Sequence, residues 1–88
     1  MSESWKIAAF YHFVELPDRD EWAERLIDHG LQVGLRGTII FANEGINSTC
    51  AGSHEAVDAT IALLKSDPRF AAMEVKVSYA DFCPFPKF

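Results

Sequence analysis

Arg36–Gly52, RGTIIFANEGINSTCAG, is the stretch whose interpretation decides the fold. Thr38, Ile39, Ile40 and Phe41 are strand formers, because β-branched and aromatic side chains pack well on a pleated surface. The run breaks at Asn43-Glu44-Gly45 and resumes as Ile46-Asn47-Ser48-Thr49-Cys50-Ala51. Two strand-like runs joined by a short segment with Asn and Gly predict a β-hairpin, since Asn tolerates the left-handed backbone and Gly adopts it freely. The first arm is almost continuously apolar, which predicts a central strand. The second carries Asn47, Ser48 and Thr49 in a row, which predicts an arm facing solvent, a partner or a site. The hairpin is therefore the middle of the expected fold and its first candidate for function.

Upstream of it, residues 5–14, WKIAAFYHFV, are strand-like, with no breaker before Pro17. Ile7, Ala9, Tyr11 and Phe13 share one face; Ala8, Phe10, His12 and Val14 share the other. Both faces are largely apolar, so a central strand is expected, with Tyr11 in the core and His12 partly exposed. Asp18 followed by Glu21 is a capping-box pattern and opens a helix with Trp22, Ala23, Leu26 and Ile27 on its apolar stripe. Gly30 is the expected stop, with Leu31 folding back, and Arg19 is read as solvated. Gly34 and Gly37 bracket the approach to the hairpin.

Downstream, Ser53 is placed to cap a second helix, with Val57, Ile61 and Leu64 on one stripe and Ala56, Thr60 and Leu63 widening it. Pro68 ends that helix. Residues 73–79, MEVKVSY, alternate: Met73, Val75, Val77 and Tyr79 inward, Glu74, Lys76 and Ser78 outward, as in a half-buried antiparallel strand. The order β-α-β-β-α-β predicts, over residues 1–80, an α+β ferredoxin-like (acylphosphatase-like) sandwich. Its antiparallel sheet has both helices on one face, and the expected central pair, strands one and three, run parallel to each other. Residues 81–88, DFCPFPKF, are expected to begin a linker or a further strand. Phe82, Phe85 and Phe88 would form a sticky patch if left in water, so they are candidates for packing against another domain.

The 88 residues make one domain, and 49% hydrophobic with 24% charged residues is ordinary globular composition. Thirteen acidic against eight basic side chains give a net charge of −5. With the basic residues scattered, the chain is no autonomous binder of the phosphate-neutralising kind; RNA contact would be local or shared with a more basic neighbour. Cys50 and Cys83 have neither CxxC nor Cys/His spacing, so no zinc site is expected. No signal peptide and no membrane-length apolar run is present in the sequence, which predicts a cytoplasmic domain without a membrane partner.

The ferredoxin-like order raises acylphosphatase chemistry. That activity needs an Arg within a Gly-rich loop after the first strand and an Asn on the second strand to orient water. Here the loop is VELPDRDEW, without Gly and with Glu15, Asp18 and Asp20 to repel phosphate, while Asn43 falls at the hairpin tip. No nucleophile elbow, zincin, P-loop or dinucleotide fingerprint occurs either. Arg36, Asn43, Glu44 and Asn47 remain as contact residues for RNA or another domain; equally, Asn43-Glu44-Gly45 makes the turn and Asn47 caps it. Cys50 has no sequence neighbour to lower its pKa and is expected to be a small buried thiol.

FYHFVELPD in the first strand, RGTIIFANEGINSTCAG in the hairpin, SDPRF and the closing CPFPKF together resemble the N-terminal domain of the rhodanese-like tRNA uridine hydroxylase family. Glu44-Gly45-Ile46-Asn47, preceded by Gly37 and followed by Gly52, is the most specific part. The resemblance implies an acylphosphatase-like domain joined to a rhodanese domain, in a protein that carries out oxygen-dependent 5-hydroxylation of the wobble uridine of tRNA. It places the catalytic Cys in the rhodanese domain, so neither Cys50 nor Cys83 corresponds to it, and no cofactor or catalytic residue is expected in this chain. The expected role is then an accessory one, positioning tRNA or bracing the rhodanese domain. The alternative is a stand-alone ferredoxin-like module that binds or dimerises through a sheet edge.

Overall fold

Strand, helix, hairpin, helix and strand succeed one another as β1 (Trp5–Phe13), α1 (Arg19–Val33), β2 (Arg36–Ala42), β3 (Gly45–Gly52), α2 (His54–Lys65) and β4 (Val75–Ala80), with a 3-10 turn at Pro68–Phe70. The structure is a computed structural model and describes residues 5–81. The strands form one sheet in the order β2-β3-β1-β4, every neighbouring pair antiparallel. This is the expected ferredoxin-like sandwich, with a correction to the direction of its central strands. β1 and β3 are central but run antiparallel rather than parallel: the α1 crossover leaves β2 running with β1, and the hairpin reverses β3 between them.

The two hairpin arms exchange the places expected of them. β2, the apolar arm, is an edge strand whose Ile40 is 55% exposed; β3, the polar arm, is central and mostly buried. Side-chain size explains this. Towards the helices β3 presents Ile46 and then the small Ser48, Cys50 and Gly52, so α2 and the α1–β2 connection approach closely. A Cβ on Gly52 would meet Leu35 Cδ2 at 3.2 Å and the Ala56 Cβ at 3.4 Å. Ser48 is buried without penalty because its Oγ donates to the Thr38 carbonyl at 2.9 Å. Asn47 and Thr49 point to the opposite face.

The core lies between that small-residue strip, Ala8 and Phe10 of β1, and the helices, and includes Trp22, Leu26, Val57, Leu64 and Phe70. Trp22 is its aromatic centre, edge-on to Phe70 at 5.6 Å and stacked on Phe41 at 6.2 Å. α2 matches its expected cap and stripe: Ser53 Oγ accepts from the Ala56 N–H at 3.0 Å, and Ala56, Val57, Thr60 and Leu64 are buried. Thr60 donates to the Ala56 carbonyl at 2.8 Å and lies 2.9 Å from His29 Nε2. The hydroxyl has one proton, so the His29 nitrogen is the donor in that contact and ties α1 to α2.

α1 departs from expectation at both ends. It runs through the buried Gly30 to Val33 and stops at Gly34, whose φ of 75° is left-handed and whose N–H caps the Gly30 carbonyl. Leu31, within the helix rather than folded back, is exposed, and so is Ile27, expected on the apolar stripe. At the other end Asp18 makes no capping hydrogen bond, because its carboxylate is held elsewhere by Arg69. In β4, Val75, Val77 and Tyr79 do share the helix-side face, yet Val77 and Tyr79 stay substantially exposed at the edge of the sheet. Phe82, Phe85, Phe88 and Cys83 lie outside the described residues.

Candidate functional site

The hairpin turn consists of Asn43 and Glu44, since Ala42 pairs with Gly45. Its backbone is docked rather than free: the Glu44 carbonyl accepts from Val14 N–H at 2.9 Å and the Asn43 carbonyl from Leu16 N–H at 2.8 Å. Gly45 makes this docking possible. Its φ is 147°, and a Cβ there would stand 2.0 Å from the His12 carbonyl oxygen. The turn is thus clamped to the segment after β1, with the side chains of Asn43 and Glu44 exposed. Glu15, Leu16, Pro17, Asn43 and Glu44 border a shallow recess beside it.

Asn47 stands two residues into β3, exposed, opposite Tyr11 on one side and Ile40 on the other. Among the described residues it makes no side-chain hydrogen bond to the turn, so it does not cap it. Asn43, Glu44 and Asn47 therefore gather at one end of the sheet. Arg36 does not join them; it opens β2 at the far end, roughly 20 Å away at the rise of a strand.

The loop after β1 is where a phosphate cradle would sit in an acylphosphatase. Asp18 occupies it, and Arg69 Nη1 and Nη2 donate to its two carboxylate oxygens at 2.7 and 2.9 Å. Arg69 also donates to both oxygens of Asp67. The Arg69 hydrogen bond holds the Asp18 carboxyl below its ordinary pKa, and that of Asp67 down to about 2. The loop thus holds a carboxylate engaged by a guanidinium.

Cys50 is buried in the core, and burial pushes its thiol pKa up against a weaker opposing hydrogen bond from Ser48. It is a packing residue and a poor nucleophile, as expected. Among the described residues no group of His, Cys, Asp and Glu could hold a metal ion, and no helix is long and apolar enough to cross a membrane.

The sequence expectation missed the bare face of the sheet. Both helices pack on one side, so Tyr11 and Phe13 of β1 emerge on the other, 64% and 78% exposed, with rings 5.7 Å apart edge to face. Tyr11 is therefore a surface residue and not part of the core. Asn47 and Ile40 continue the row across β3 and β2, and Lys76 and Thr49 flank Ala9 in the next. The signal was present in the layout: two helices on one face leave alternate residues of a central strand uncovered.

The family described as "UPF0176 acylphosphatase like domain" matches residues 5–88. The tRNA uridine(34) hydroxylase of Xylella fastidiosa (strain M23) is 45% identical over 80 residues, covering 91% of this chain and 31% of that protein. That of Thiobacillus denitrificans is 48% identical over 77 residues, covering 88% and 31%. The chain thus spans about a third of the length of the curated relatives it matches.

Proposed function

The chain belongs to the UPF0176 acylphosphatase-like domain family, and on that footing we propose that it is an accessory domain of a tRNA-modifying enzyme. The parent reaction is oxygen-dependent 5-hydroxylation of the wobble uridine, with the reacting groups in a rhodanese domain elsewhere in the parent protein. The chain itself supplies surfaces: the hairpin tip of Asn43, Glu44 and Asn47 positions the tRNA or braces the rhodanese domain. The observation that carries this is the 45–48% identity to proteins named tRNA uridine(34) hydroxylase across nearly the whole chain. Supporting it, the only described thiol is buried with a raised pKa, and the loop that would cradle phosphate holds a paired carboxylate.

Sedimentation velocity of the 88-residue chain tests the assignment. A monomer that co-sediments with the remainder of the parent protein or with a tRNA bearing uridine at the wobble position is expected. A tight, saturable self-dimer indifferent to both would contradict it and favour a stand-alone module.

A further inference from the structure

Helix α1 turns an apolar pair to the outside. Ile27 and Leu31 stand one turn apart, 52% and 69% exposed, with the exposed carboxylates of Glu21, Glu24 and Asp28 around them. The spacing of three and four residues gathers these side chains on the side of the helix away from Trp22, Leu26 and Gly30. The two cations of α1 stay off this strip. Arg25 lays its guanidinium over the Trp22 ring, 4.8 Å from the centroid, and Arg19 leans on Asp20 at 3.7 Å. Among the described residues Glu21, Glu24 and Asp28 enter no salt bridge, and the last turn of α1 holds no basic residue. Glu21 with Glu24, and Glu24 with Asp28, are like-charge neighbours, a spacing that weakens a helix on its own. An apolar centre inside a charged rim is the anatomy of a protein interface. We infer that this face of α1 docks a basic, apolar-anchored surface of the parent protein outside this chain. The inference rests on the accessory role above and names the side of the domain that braces the parent.

Charge selects the occupant. A strip of carboxylates without a cation repels tRNA phosphates, and a second copy would set carboxylate against carboxylate. Lys or Arg side chains flanking apolar ones fit it on both counts. The remainder of the parent protein is their source. The chain spans about a third of the length of its curated relatives and carries a net −5, so neutralising tRNA phosphates falls to the other two thirds. Joined in one polypeptide, the two surfaces meet at an effective concentration on the order of millimolar, and a small patch then suffices to hold them together.

The test is carboxyl footprinting of the full-length parent protein with a carbodiimide and an amine label, read by peptide mass spectrometry. Glu55 of α2, exposed, serves as the reference. At low salt, Glu24 and Asp28 are expected to label roughly 10-fold more slowly than Glu55, as for a face docked about nine-tenths of the time. Ile27→Gln/Leu31→Gln should bring their labelling up to that of Glu55; glutamine is a good helix former, and circular dichroism confirms the fold. Salt at about 1 M, where the Debye length is about 3 Å, should do the same. Labelling of Glu24 and Asp28 as fast as Glu55 in the unsubstituted protein would overturn the docking. So would protection that survives both the glutamine pair and salt. Protection that vanishes on dilution would make the occupant a second copy, and protection that appears only with tRNA would make it RNA; either overturns the docking. All of these leave the accessory role standing if the parent protein hydroxylates tRNA. A parent protein that neither binds nor hydroxylates tRNA would overturn both.

Discussion

The guanidinium of Arg69 grips both carboxylate oxygens of Asp18, at 2.7 and 2.9 Å, across 51 residues of sequence. A planar fork of this kind fixes two elements at once: the loop after β1 and the 3-10 turn before β4. Asp67 completes the arrangement from the same turn, its Oδ1 accepting from the Arg69 backbone N–H at 2.9 Å.

This arrangement makes stability depend on acid pH. The Asp18 and Asp67 pKa values lie below the unfolded value of about 3.9 because Arg69 hydrogen-bonds the charged forms. A lowered carboxylate pKa contributes stability above the unfolded pKa, and that contribution is lost as pH falls through the folded one, about 2 for Asp67. Arg69→Ala should therefore lower the urea midpoint at pH 7, with the deficit shrinking between about pH 4 and pH 2. Arg69→Lys should recover little, since an ammonium cannot reproduce the fork. A deficit that stays constant with pH would mean that Arg69 acts by packing alone.

Gly45→Ala should be among the most damaging single substitutions in the chain. The backbone there has φ of 147°, and the added carbon would lie 2.0 Å from the His12 carbonyl oxygen. Strain and clash together should cost at least about 2–3 kcal/mol. Gly52→Ala, whose neighbours at 3.2 and 3.4 Å are side-chain atoms, should cost less. Denaturant unfolding of the two variants checks the ranking, and equal losses would refute it.

Cys50 should be silent to thiol reagents in the folded chain. In a Cys83→Ser background, modification by a thiol-reactive disulfide at neutral pH should await unfolding, because the thiol is buried and its pKa raised. Reaction at the rate of a free thiol in the folded protein would contradict its placement in the core.

Much of the fold was legible because its signals are local. Ser53 directly precedes an amphipathic run, and nothing distant competes for its hydroxyl, so the α2 cap was readable. Asp18 looked equally good, but its competitor for the carboxylate, Arg69, is remote in sequence. Gly30 carried the usual stop signal four residues before Gly34, the glycine that takes the left-handed conformation. Periodicity shows which residues share a strand face, not which face becomes covered, and Tyr11, expected in the core, lies on the uncovered one. The polarity of Asn47 and Thr49 was real but one-sided: the opposite face of β3 is the small-residue floor of the core. Asn43, Glu44 and Asn47 were found together by motif, while Arg36, in the same motif, was separated from them by the length of β2.

We propose that this domain contributes contacts to the wobble-uridine hydroxylation carried out by its parent protein. That claim is tested most directly by the full-length parent protein carrying Glu44→Ala and Asn47→Ala, with 5-hydroxyuridine in tRNA quantified by nucleoside mass spectrometry and tRNA affinity measured alongside. The two side chains are exposed, so thermal stability should be unchanged. Affinity or hydroxylation at limiting tRNA should fall roughly 10-fold, equivalent to about 1.4 kcal/mol of lost contact. Wild-type affinity and wild-type hydroxylation in a stably folded variant would contradict the claim and leave the hairpin tip as turn chemistry alone.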